Sequence, residues 1–162
     1  MTRAAISAAA VLAVAGMGAA WVMRAGSPTA PPAETEAVPI AQGKALYAEY
    51  CASCHGANLE GQPNWRSPGE DGRLPAPPHD ETGHTWHHSD RMLFEYTKLG
   101  GQAALANSGV ALDSGMPGFG SQLSDAQIRG ILHFIKSAWP EREQRYQAER
   151  TEVEAQQEGK SQ

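Results

Sequence analysis

The run Cys51-Ala52-Ser53-Cys54-His55 constrains this chain more than any other feature of its sequence. Two cysteines two residues apart serve as a redox dithiol, as half of a zinc site, or as the anchor of a covalently attached haem, and the next residue separates these uses. A zinc ribbon needs a second pair of ligands, and the chain holds only these two cysteines. A thioredoxin-like dithiol belongs in a βαβ unit, and nothing around residue 51 reads as parallel strands. With His55 in place the pattern is that of haem attachment: both thiols, Cys51 and Cys54, add to the haem vinyl groups, and the adjacent imidazole is held beneath the iron as its ligand. One haem c consumes both thiols, so no structural disulfide is expected.

The ligand on the opposite face of the iron decides whether such a centre carries electrons or meets outside molecules. Met116 is the candidate, because it lies in the Gly/Pro-rich stretch Asp113-Ser114-Gly115-Met116-Pro117-Gly118-Phe119-Gly120, with Pro117 stiffening its approach. Met92 falls on the apolar stripe of a helix and reads as core filler. The histidines of His79-Asp-Glu-Thr-Gly-His84-Thr-Trp-His87-His88 offer a different use, either as a second imidazole ligand or as a copper site. Their spacing matches no fixed metal motif. Two alternatives to a carrier therefore stand: a haem sensor or peroxidase with an open or labile sixth position, and a copper-handling protein using His79, His84, His87 and His88.

Along the chain, helical signals alternate with loops. Gly43, Leu46, Tyr47 and Tyr50 recur at helical spacing and predict a helix that delivers Cys51 to the haem edge. Residues 56–78 are so dense in glycine and proline that long helices are excluded, and a loop of that length needs a large apolar cofactor to wrap. Ser89 reads as the N-cap of a middle helix over Asp90–Leu99, stopped by Gly100. Gly101 to Gly120 reads as loop. Ser124 and Gln127 form a capping box for a last core helix that ends at Pro140. Residues 141–162 carry few apolar side chains and read as a charged tail, helical or frayed, with no role of its own.

Residues 4–23 are uncharged between Arg3 and Arg24, about 20 residues, enough to cross about 30 Å of hydrocarbon. Residues 1–24 read either as a membrane anchor or as a cleaved signal peptide, and both export the rest of the chain. The Pro/Ala-rich stretch 25–40 reads as a semi-rigid linker. A formal net charge of −5 gives no reason to expect nucleic acid.

With these motifs placed, residues 41–140 resemble class I cytochromes c. The resemblance implies an all-α fold, three main helices and long loops wrapped around one covalently bound haem, with His55 and Met116 as axial ligands. It implies that Gly43 and Tyr47 of the first helix cross the last helix near Phe134. It implies a haem-propionate contact for Trp86 and a weaker one for Arg73. It also implies that the carbonyl of Pro75, Pro77 or Pro78 orients the His55 ring. The expected activity is single-electron transfer without bond-making catalysis. The expected place is the periplasmic side of a bacterial inner membrane, between redox partners such as a quinol-oxidising complex and a terminal oxidase or reductase.

Overall fold

The computed structural model describes residues 37–110 and 113–160, so the reading of residues 1–24 as anchor or signal lies outside the described residues, as does most of the linker. Among the described residues there are six α-helices, one 3-10 turn and no strand. They are α1 Ile40–Tyr50, α2 Ala52–His55, the 3-10 turn Thr85–His87, α3 Asp90–Leu99, α4 Gly101–Asn107, α5 Asp125–Ser137 and α6 Glu141–Lys160. None of these helices is long and apolar enough to cross a membrane.

The caps form where local chemistry places them. The Ser89 hydroxyl accepts from the Met92 N–H at the start of α3, and Ser124 and Gln127 make a reciprocal capping box at the start of α5. Each cap satisfies donors that the first helical turn leaves unpaired.

The core is built on the crossing of α1 with α5. It closes because two glycines meet: a Cβ at Gly43 would lie 2.7 Å from the carbonyl carbon of Gly130 and 3.3 Å from Phe134 Cβ. Tyr47 then packs its ring 5.4 Å from that of Phe134, and Ile128, Ile131, Ile135 and Trp139 fill the interior behind it. The three isoleucines repeat at the helical period on one face of α5, with Trp139 just past its end, so their burial holds the helix in place.

One segment departs from the sequence reading, and the tail, helical as one of its two readings had it, is docked rather than solvated. Gly101–Asn107 is helical, not loop: Gln102 to Ala106 are good helix formers, and Gly100 at φ 87° turns the chain sharply between α3 and α4. The tail beyond Pro140 is a helix docked along the 3-10 turn and the start of α3. Its docked face is polar apart from Tyr146, which is why no apolar stripe announced it. Gln147, only 1 % exposed, sends its side-chain amide to Asp90 Oδ1 at 2.7 Å, Thr151 Oγ1 at 3.1 Å and the His88 carbonyl at 3.3 Å. Thr151 Oγ1 in turn accepts from the Asp90 N–H at 3.1 Å. Arg91 adds ion pairs to Glu154 and, at 2.7 Å, to Glu158.

Candidate haem site

Cys51 caps the C-terminus of α1 and is buried in the core, whereas Cys54, one turn on, is exposed. Burial pushes the Cys51 thiol up to about 11, with Cys54 adding to the shift, so the thiol stays protonated in the folded chain at neutral pH. His55 closes the short helix α2 and is 8 % exposed. The Tyr47 hydroxyl donates to the Gly56 carbonyl at 2.9 Å, tying the end of the motif back to α1.

His55 Nδ1 lies 2.9 Å from the carbonyl oxygen of Pro77. A carbonyl only accepts, so Nδ1 carries the proton and Nε2 is left with its lone pair for a metal. Of the three prolines open to this role, the fold selects Pro77. It does so by building a floor of close backbone contacts under that carbonyl. A Cβ at Gly61 would lie 2.6 Å from Pro77 C, and one at Gly83 would lie 2.8 Å from Pro78 C. The Gly61 N–H donates to the His55 carbonyl at 2.8 Å and the Gln62 N–H to Ala76 at 2.9 Å, which sets the register of the loop. Burial lowers the His55 pKa, and the bond to Pro77 opposes that shift in part.

Met116 is half-buried and packs against the core cluster to which Cys51 belongs. Its segment is stapled to the end of α3: Phe119 N–H donates to the Thr97 carbonyl at 3.0 Å, Gly120 N–H to Lys98 at 2.9 Å, and the Met116 carbonyl accepts from Gly101 at 3.0 Å. Ser114 Oγ lies 3.0 Å from the Tyr96 hydroxyl and accepts from the Met116 N–H at 3.3 Å. Close passage of Gly118 over Leu99, where a Cβ would sit 2.6 Å from the Leu99 oxygen, requires glycine there.

The other candidates sit as follows. Arg73 is exposed and its Nε donates to Asp113 Oδ2 at 3.0 Å, joining the long loop to the segment that carries Met116. The Trp86 indole N–H donates to the Glu81 carbonyl at 3.3 Å, and its ring packs 3.8 Å from His87 and 5.3 Å from Tyr146 of the tail helix. The histidines do not converge. His84 stacks on Trp65 at 5.4 Å and meets His88 edge-on at 5.3 Å, while His87 lies with Trp86 and Tyr146. Among the described residues no group of three His, Cys, Asp or Glu side chains is placed to hold a metal ion. His79 is separate again, with its ring against His55 at 4.0 Å.

Burial holds the His88 pKa down to about 4 from 6.5, with the charges of His84, His87 and Arg150 acting in the same direction. The unfolded chain takes up that proton near 6.5 and the folded chain only near 4, so stability falls as pH drops through this window. The melting temperature of the wild type should decline across it, and His88→Asn should decline less. Identical pH profiles for the two proteins would exclude His88 as a source of the acid sensitivity.

The residues fit a covalently held haem. They supply two thiols on adjacent helical turns, an imidazole with Nδ1 engaged and Nε2 free, and a thioether on a braced segment. No curated protein and no solved structure matches the chain. The family model described as Cytochrome c matches residues 40–139, well over half of the chain and the whole span from α1 to Trp139, and leaves α6 outside. The chain therefore belongs to the cytochrome c family, and it carries one covalent haem c at Cys51 and Cys54 in a domain of the electron-carrier kind.

Proposed function

We propose that this chain is a single-electron carrier whose iron is closed by His55 and Met116. It works on the periplasmic side of a bacterial inner membrane, anchored through residues 4–23 or released by cleavage. The observation that carries the reading is the bond from His55 Nδ1 to Pro77 O, which holds the imidazole in one tautomer on a braced backbone. When bound, the haem supplies the Fe(II)/Fe(III) couple. The protein's part is to keep its ligands in place through both states: α1 fixes Cys51, Pro77 fixes the ring of His55, and the end of α3 fixes the Met116 segment. Little rearrangement on electron exchange favours fast transfer. Partners such as a quinol-oxidising complex and a terminal oxidase or reductase would dock weakly and transiently, through the small interfaces expected of redox encounters. Trp86 and Arg73 are the proposed propionate neighbours.

The test is an optical spectrum of the oxidised protein beside that of Met116→Ala, with carbon monoxide added to the reduced forms. The wild type should show the weak sulfur-to-iron charge-transfer band in the far red and bind no carbon monoxide at neutral pH. Met116→Ala should lose the band and bind the gas. Carbon monoxide binding by the wild type would replace the carrier with a sensor or peroxidase. Intact mass of the membrane and soluble fractions decides between anchor and cleaved signal.

A further inference from the structure

The ring of His79 lies 4.0 Å from that of His55, centroid to centroid, tilted by 34°, and 6.0 Å from that of Tyr47. Both sides of its backbone are pinned. The N–H donates to the Leu59 carbonyl at 2.7 Å, and the carbonyl accepts from Trp139 Nε1, also at 2.7 Å. The ring is thus delivered to His55 by the main chain, two residues beyond the carbonyl that orients the ligand. Although part of the residue reaches the surface, its Nδ1 is sealed from solvent and has no hydrogen-bond partner in the protein.

A buried N–H without an acceptor is rarer and costlier than a buried lone pair without a donor. That asymmetry places the ring proton on Nε2 and leaves Nδ1 bare. A bare nitrogen in surroundings that screen poorly favours positive charge nearby. A leucine would fill similar space without that dipole.

We propose that His79 is a positioning residue for the redox centre: through its contact with His55, its bare Nδ1 favours the oxidised, more positive state and lowers the reduction potential. This rests on the electron-carrier reading above.

The experiment compares the haem-loaded full chain with His79→Leu and His79→Asn, whose amide oxygen can stand near the position of Nδ1. At a fixed poise, His79→Leu should raise the ratio of reduced to oxidised protein at least about threefold, which is about 30 mV at 59 mV per tenfold for one electron. His79→Asn should move it by clearly less. Nitrogen NMR of the reduced wild type should show His79 with a protonated Nε2 and a bare Nδ1, an outcome that holds or fails whatever becomes of the leucine variant. A protonated Nδ1, an unmoved potential in His79→Leu, or equal shifts in both variants overturns the proposal, even with the His55/Met116 spectrum intact. A chain that takes up no haem overturns the carrier reading and this inference with it.

Discussion

Gly43→Ala should lower the melting temperature of the haem-loaded protein by about 10–15 °C, corresponding to about 2–3 kcal/mol. Alanine favours a helix over glycine by up to about 1 kcal/mol, so the substitution would stabilise α1 in isolation. The crossing reverses the sign. The new methyl would fall within 2.7 Å of the Gly130 carbonyl carbon, which is backbone and cannot swing aside. Helix α1 would have to lift from α5, loosening Tyr47 and Phe134 and moving Cys51, which follows α1 directly. Gly130→Ala is the control. Its methyl would press on the Val38 side chain, 2.6 Å away, at the start of the described chain, where a rotamer change or a small main-chain shift relieves it. The loss there should stay within about 1 kcal/mol. Thermal melts followed by far-ultraviolet circular dichroism measure both. Equal losses in the two variants would show that the crossing does not depend on close approach at Gly43.

Gln147→Ala should cost about 1–2 kcal/mol, because it removes a buried amide that bonds three groups at once, the half-exposed Asp90 carboxylate among them. The side-chain amide of Gln147 touches Asp90 Oδ1, Thr151 Oγ1 and the His88 carbonyl at once, and so joins α6 to the 3-10 turn and the start of α3. Asp90 keeps its ion pair with Lys136 at 2.6 Å, so the damage should concentrate at the tail and the Trp86 loop. Hydrogen exchange resolves this. Protection should fall over residues 85–92 and 143–158 and persist in α5. Unchanged exchange in both segments, together with an unchanged melt, would mean that the tail lies on the domain without holding it.

The two variants also mark the limit of what periodicity reveals. Gly43, Tyr47 and the apolar face of α5 could be read as a helix crossing because close packing of apolar faces leaves a repeating pattern in the chain. Gln147, Thr151 and Glu154 leave no such pattern, since a polar interface is chosen atom by atom and looks like a solvated face in sequence. Helix α4 was hidden for a different reason: Gly100 and Gly101 signal a break, and the break is a sharp turn between two helices.

The haem site divides in the same way. Covalent haem attachment at Cys51 and Cys54, with His55 completing the motif, was legible at once, because five consecutive residues carry that pattern wherever the chain folds. The caps at Ser89 and Ser124 are equally local and formed as read. Which of Pro75, Pro77 and Pro78 orients His55 depended on the path of some twenty loop residues, fixed by bonds such as Gly61 to His55 and Gln62 to Ala76. The ring of His79 against His55 depended on those bonds and on Trp139, sixty residues away. By itself the sequence determined the cofactor, its attachment motif and helices α1, α3 and α5, since each is set by neighbours a few positions apart. Only the tertiary structure decided the oriented tautomer, the packing beside the ligand and the docked tail, because those rest on contacts between segments that local sequence leaves free.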